Sequence, residues 1–348
     1  MHHLNPHLHL TVSFDESQGG IYTFLKNNIS SDSILFAQYI SSRQTDGFLF
    51  RIISAYNFRI LLKSINPSSP VFLHGLFSPY FLVVLLAAKV VNKSLSLNVF
   101  PHGMLYPSVL KSRKVLLKNI WLRIFSALLA DTATFYCLSS EELRHVKAYL
   151  PSSRATLYKP VIKPIVPLSN FHVYQEFKLT CFDAKKFVIL ARYSPEKQIL
   201  ETIKSFNQVT NPNISLSIYG SSNLNYSYYL KCLDLVMSLN DPRISLCGFV
   251  SGTQLLEILR TAHCGIVYSE KENFSFSLID FVGSSNLVIT NTSVGASSYF
   301  SDKDLFIHPT HDSYRFLSQT IKYISLMPAS EFIDRTKNAF SQYLRAFT

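Results

Sequence analysis

Residues Cys264 to Asn291 read CGIVYSEKENFSFSLIDFVGSSNLVITN. The apolar run Gly265–Tyr268 predicts a buried strand, Phe276–Val282 a short helix, and Leu287–Thr290 the next strand. In an open α/β sheet, ligands sit outside the carboxyl ends of the strands. The loop Ser269–Ser275 lies at such an end and feeds a helix N-terminus, so the chemistry is expected there.

The same alternation extends through the second half. Phe187–Leu190, Ile214–Tyr219 and Ile244–Phe249 predict strands, and Lys197–Phe206, Tyr226–Leu239 and Gly252–Thr261 predict helices. The first half repeats it, with strands at His9–Phe14, Ile34–Ile40, Val71–His74, Leu95–Phe100 and Thr134–Leu138. Helices are expected at Ala55–Ser64, Pro79–Val91 and from Ser108 to about Ala130, and Ser139-Ser140-Glu141-Glu142 reads as the N-cap of another. Strands alternating with helices imply parallel sheets. Pro151, Pro160, Pro164 and Pro167 interrupt every periodicity and predict a linker, with a domain boundary near residue 165. The expected fold class is α/β: two Rossmann-like, doubly wound domains facing one another across a cleft.

Length and composition agree. A chain of 348 residues that is 47% hydrophobic suits two α/β domains of ordinary size and argues against disorder. A formal net charge of +11 points to an anionic partner. Lys and Arg are scattered without an RNP-like aromatic signature, a zinc-knuckle spacing or a basic heptad, which argues against nucleic acid. Five widely spaced cysteines read as buried thiols of a reducing cytosol. The N-terminus shows no signal-peptide pattern, and the most apolar segment, Phe77–Ala88, is shorter than the roughly 20 residues of a membrane span.

Arg192 and Lys197 bracket the loop after the first strand of the second half, where two cations and a helix N-terminus can hold a diphosphate. Glu272 and Asp280 lie in the opening loop and helix; carboxylates accept hydrogen bonds from sugar hydroxyls and repel phosphate, so ribose and hexose suit them better. Backbone N–H groups near Phe274, Ser275 and Phe276 sit between them. In the first half, Gly19-Gly20 reads as a turn that lets backbone approach a phosphate, or as a plain tight turn. His102, in Pro101-His102-Gly103-Met104, falls where a strand should end, a position that favours function over a structural role. The helix from Ser108 to Ala130 sets Lys111, Arg113, Lys114, Lys118 and Arg123 against an apolar face with Trp121, suiting an anionic membrane surface, packing on the sheet, or both. Asp302-Lys303-Asp304 has the look of a metal site but follows the nucleotide unit, so no metal is expected.

These residues resemble the retaining, GT-B-fold glycosyltransferases of family 4. Glu272 through Asp280 is similar to that family's Glu-x-Phe-Gly-x-x-x-x-Glu, and Ala191-Arg192 through Lys197 to its Gly-Arg-x-x-x-x-Lys-Gly. Leu287-Val-Ile-Thr-Asn, Val294-Gly295, the Gly19-Gly20 turn and Pro101-His102-Gly103-Met104-Leu105 extend the likeness over nearly the whole chain, the last being familiar from enzymes of bacterial surface polysaccharides. The resemblance implies an acceptor-binding domain over residues 1–165, a nucleotide-sugar domain over 166–329, and a helix over 330–348 packing back across the hinge. It assigns the donor diphosphate to Arg192 and Lys197, the ribose to Asp280, the transferred sugar to Glu272, the reaction centre to His102, and the phosphates or acceptor to Gly19 and Gly20. No cofactor is implied, and the enzyme would sit in the cytoplasm, peripheral to the membrane, with a glycan or lipid-linked acceptor. Departures fall at Asp280 for Glu, and at Ala191, Gln198, Asn273 and Ser275 for Gly. Alternatives are a catalytically inactive nucleotide-sugar-binding scaffold and a GT-B-fold sugar-nucleotide epimerase.

Overall fold

A computed structural model describes residues 8–11, 20–29, 34–37, 49–52, 70–91, 95–111, 114–223, 225–309 and 313–347. The chain divides into two compact units between Val161 and Ile162, a little before the boundary expected from the prolines.

In the first unit, β1 (Leu8–Thr11), β2 (Ile34–Ala37), β3 (Leu49–Ile52), β4 (Val71–His74), β5 (Leu97–Phe100), β6 (Ala133–Cys137) and β7 (Arg154–Leu157) form one parallel sheet in the order β3-β2-β1-β4-β5-β6-β7. Its described helices are α1 (Gly20–Asn28), α2 (Pro79–Val91), α3 (Pro107–Leu110), α4 (Val115–Leu128) and α5 (Ser140–Tyr149). The second unit holds β8 (Lys185–Leu190), β9 (Ile214–Tyr219), β10 (Ile244–Cys247), β11 (Cys264–Val267), β12 (Leu287–Asn291) and β13 (Phe306–His308), parallel throughout, in the order β10-β9-β8-β11-β12-β13. Its helices are α6 (Phe171–Leu179), α7 (Ile199–Asn207), α8 (Tyr226–Leu239), α9 (Gly252–Thr261), α10 (Phe276–Gly283), α11 (Ser313–Leu326) and α12 (Ala329–Phe347).

Each sheet is wound outward from its first strand and then returns to that strand's other side. The winding reverses between β1 and β4 in one unit and between β8 and β11 in the other. The loops leaving those strand pairs are therefore neighbours, the arrangement in which doubly wound sheets hold ligands. The strands are anchored by fully buried residues. Leu10, Leu73, Val99 and Phe135 pack with Val84, Trp121 and Phe125 in the first unit; Phe187, Ile189, Leu216, Ile218, Ile266 and Ile289 pack with Ile203 and Ile321 in the second. Burying each such side chain contributes about 1.5–3 kcal/mol.

Two sequence expectations are corrected. The helix expected over 108–130 is two helices: Lys114 adopts φ 62°, which ends any continuous i to i−4 ladder before α4 starts. The proline-rich segment contains the edge strand β7, whose residues are mostly exposed and so lack an apolar alternation. Strand β3 and helix α6 were not anticipated at all. The C-terminal helix α12 belongs to the second unit, where it packs along α10 with Phe332, Thr336, Ala339 and Tyr343 buried. The helix expected at Ala55–Ser64 lies outside the described residues, as does Gly19.

Candidate active site

In the second unit the loops after β8 and β11 are tied together at the reversal point. Leaving β8, Ala191 donates its N–H to Tyr219 O (3.0 Å) and Tyr193 to Ser221 O (3.0 Å), while the buried Tyr193 hydroxyl donates to Ile218 O (3.1 Å). Gly220 must lack a side chain here, since a Cβ would overlap the Ala191 carbonyl. A single 3-10 turn, Pro195–Lys197, then presents Lys197, and Gln198 closes it at φ 48°. Across the gap, Glu270 donates its N–H to Glu196 O (2.9 Å), joining the two loops through backbone. The Lys197 ammonium meets the Glu272 carboxylate directly, with the side chains only 16% and 21% exposed. Arg192 reaches Glu196 at 3.2 Å.

Glu272 is itself held from behind by the loop after β12. Its N–H donates to Ser293 O (3.1 Å), its carbonyl accepts from Gly295 N (2.9 Å), and Ala296 N donates to Phe274 O (2.8 Å). Asn291 Nδ2, buried, adds a bond to Ser269 O (2.8 Å). The Glu272 side chain thus stands on a backbone bonded on both sides. Glu270, the other acid of the loop, leaves its side chain exposed. Burial first, then the Arg192 guanidinium, pull the Lys197 pKa down to about 7, with Glu196 opposing them; the Glu272 carboxylate in contact favours the charged ammonium. A cation and an acid that neutralise one another in a recess can be re-partnered by a ligand carrying both a diphosphate and hydroxyl groups.

Helix α10 starts after this loop without a side-chain cap, and its preceding residue Ser275 holds φ 79°, ψ 90°. First-turn N–H groups of such a helix are unsatisfied and face an anion favourably. The Phe274 side chain anchors the loop: it is buried, its ring against Phe276 (5.2 Å), Tyr299 (6.2 Å) and Phe347 (6.0 Å). Asp280, on the second turn, makes no side-chain hydrogen bond with a described residue, and burial raises its pKa to about 7. The structure brings Arg192, Glu196, Lys197 and Glu272 into one cluster; Asp280 is not bonded into it. Glu196, Asn291 and Gly220 were missed in the sequence. Glu196 had a signal, standing between two candidate cations.

In the first unit, His102 follows β5 in a left-handed turn with Gly103 (φ 50° and 78°). Buried Glu142 fixes that turn by accepting from Gly103 N (2.5 Å) and Leu138 N (2.8 Å), and Met104 Sδ accepts from Leu76 N (2.9 Å). Ser139 caps α5 as expected, accepting from Glu142 N. Gly20 opens α1. Asp304 caps its own turn, accepting from Ser301 N (3.1 Å) and Oγ (2.7 Å), and no group of three or more metal-type ligands gathers among the described residues.

Similarity to known proteins follows the same division. Residues 176–339 match the family model "Glycosyl transferases group 1". No curated protein sequence matches the chain. Among solved structures, HepE of Anabaena, in complex with UDP and glucose, aligns with a TM-score of 0.75 at 11% identity, covering 98% of this chain and 96% of that one. WaaG, a glycosyltransferase involved in lipopolysaccharide biosynthesis, aligns at 0.70 and 12%, covering 96% and 94%. Sucrose-phosphate synthase of Thermosynechococcus elongatus aligns at 0.71 and 15%, covering 98% and 95%. The chain has the GT-B fold, and residues 176–339 of its second unit match the glycosyl transferases group 1 model.

Proposed function

We propose that the protein transfers a hexose from a nucleoside diphosphate sugar to a glycan or lipid-linked acceptor, with retention of configuration, in surface-polysaccharide or O-antigen-type assembly. One observation carries this reading: Lys197 and Glu272 meet from the two loops that flank the reversal between β8 and β11. Lys197 and Arg192, with the uncapped start of α10, take the diphosphate and stabilise charge on the leaving group. Glu272 accepts from the hydroxyls of the transferred sugar, Asp280 from the ribose, and His102 of the first unit serves the reacting sugar. The cations do this without a metal. UDP in the HepE structure makes UDP-hexoses the first donors to try, and the WaaG likeness favours a lipid-linked acceptor. No helix among the described residues is long and apolar enough to cross a membrane; an enzyme on the cytoplasmic face, held by α4, suits such an acceptor.

The test is turnover and binding of a panel of UDP- and GDP-hexoses. Lys197→Ala and Glu272→Ala are expected to lower turnover at least 100-fold. Wild-type turnover in both would end the site assignment. A second reading, a subunit that binds nucleotide sugar without turnover, is favoured by Gln198 and Ser275, which hold positive φ at two turns of the candidate site where glycine would be unstrained. Tight binding of UDP-hexoses by the wild type with no release of UDP would select it.

A further inference from the structure

Three imidazoles form an unbroken chain across the centre of the first sheet. His9 Nδ1 lies 3.0 Å from His74 Nε2, and His74 Nδ1 lies 3.3 Å from His102 Nε2. The register explains why. His9 pairs with Phe72 across β1 and β4, and His74 with Phe100 across β4 and β5. Side chains two apart share a face, so His9, Phe72, His74 and Phe100 all project to one side, and each step to the next strand moves the histidine two positions closer to the carboxyl end. His102 continues the diagonal beyond the end of β5.

Aromatic rings line this row and seal His9 and His74 from water. His9 stacks on Phe72 (4.7 Å, 17°), His74 on Phe100 (5.0 Å, 10°), and Phe24 of α1 sets its edge against His102 (4.9 Å, 72°). His9 and His74 are fully buried. Burial, then the neighbouring His9 and His102, hold the His74 pKa well below its ordinary value, and burial brings His102 down to about 3. His74 and His102 are therefore neutral across the physiological range.

A neutral imidazole has one N–H and one bare nitrogen. His74 uses both nitrogens within the chain, so it must donate at one contact and accept at the other. Its choice decides whether His102 Nε2 is bare or protonated, and His102 Nδ1 then takes the opposite state. Nδ1 has no hydrogen-bond partner among the described residues, leaving it for a ligand.

We propose that His74 is a positioning residue that holds His102 in a single neutral tautomer, presenting Nδ1 to the reacting sugar in one fixed hydrogen-bonding sense. The inference rests on the role given to His102 above. Chain polarity is communal: reversing it requires every ring to change its proton together, which keeps one sense in force while substrate is bound.

The test uses ¹⁵N-histidine-labelled full-length protein, with UDP-glucose and the other panel donors for rate. In the wild type, the His102 ring nitrogens are expected to report one protonated and one bare site, unchanged between pH 5 and 9. His74→Phe keeps the stack on Phe100 and removes the contact; it should average the two His102 nitrogens and lower kcat about 10- to 100-fold with KM for the donor little changed. His74→Asn, whose carboxamide stands near the former Nδ1, should recover most of the rate, and His74→Gln, which reaches towards His9, should not. Melting temperatures confirm that each variant is folded. If His74→Phe is folded and keeps both the His102 resonances and the rate, or if Asn rescues no better than Phe, the proposal is wrong. Wild-type turnover in His102→Ala would instead remove the role of His102, and the resonances, which need no substrate, still decide whether His74 sets its tautomer.

Discussion

Ser275 and Gln198 occupy left-handed backbone, at φ 79° and 48°, that costs an L-residue roughly 1–2 kcal/mol and costs glycine nothing. Ser275→Gly should raise stability by about 0.5–1 kcal/mol once the greater freedom of glycine in the unfolded chain is deducted, read as a higher urea midpoint at unchanged slope. A lower midpoint would mean that the Ser275–Ser277 hydroxyl contact at 3.2 Å matters more than the backbone. Asp280 makes a sharper case because its cost depends on pH. Its pKa rises from 3.8 to about 7 on folding, so the unfolded state releases the proton first and stability falls as pH climbs between those values, then levels off. Asp280→Asn should match the wild type at pH 4 and exceed it at pH 8, by on the order of 1–2 kcal/mol after allowing for partial exposure, while losing affinity for UDP-hexoses. A stability difference that ignores pH would show that burial is not what perturbs this acid. Glu272→Gln should act on Lys197 instead: without its counter-charge the ammonium pKa falls further, and UDP should bind more weakly than to the wild type as pH rises from 6 to 8. Isothermal titration from pH 6 to 8 reads this directly, and a flat profile would contradict it.

Among the elements, the pairing of β11 with α10 sets where the acids stand. Gly265 lets the helix lie on the strand, for a Cβ there would overlap the Phe281 ring. Gly265→Ala should cost about 1–3 kcal/mol by overpacking, and adding Phe281→Leu should return part of it; strict additivity of the two would show that they do not share the contact. That unit was legible in the sequence because its strands are buried on both faces and so read as short continuous apolar runs, with a helix-length pattern between. Elements without such a contrast were not legible. Strand β7 is mostly exposed, and α6 begins amid prolines where a helical period has little room to show. The break before α4 depends on the backbone of Lys114, a residue type that gives no warning of φ 62°. For the candidate site, the charged residues were visible because acids and cations are rare in apolar surroundings. Their braces were not: Gly295 and Ala296 act through backbone N–H groups, which every sequence contains. The histidine chain shows the same limit, since His9, His74 and His102 become neighbours only through strand register.

The charge of the whole chain, +11, draws any anionic surface, and α4 shows which residues such a surface would meet. The sequence left two readings of that helix open, and its structure divides them between different residues. Trp121, Leu122 and Phe125 are buried against the first unit, with Trp121 Nε1 donating to Ser78 O (3.3 Å) and stacking on Phe125 (4.8 Å). Leu116 and Leu117 are 71% and 59% exposed beside the exposed cations Lys111, Lys114 and Arg123. Packing therefore does not consume the apolar residues that a lipid interface would take. Two contributions with different salt dependence follow. Attraction of the cations to anionic lipid is screened as the Debye length falls from about 30 Å at 0.01 M to about 8 Å at 0.15 M, whereas insertion of leucines is nearly indifferent to salt. Full-length protein should co-sediment with vesicles containing a third phosphatidylglycerol at low salt, bind purely zwitterionic vesicles much less, and retain part of its affinity at 0.15 M. Leu116→Asp with Leu117→Asp should abolish the retained part, weakening binding at least tenfold, because each buried leucine contributes about 1.5–3 kcal/mol. Lys111→Glu with Lys114→Glu should instead weaken binding at low salt and flatten its remaining dependence on salt. Equal binding to both vesicle types, or no change in the double leucine variant, would show that charge spread over the molecule attracts the membrane without α4 entering it.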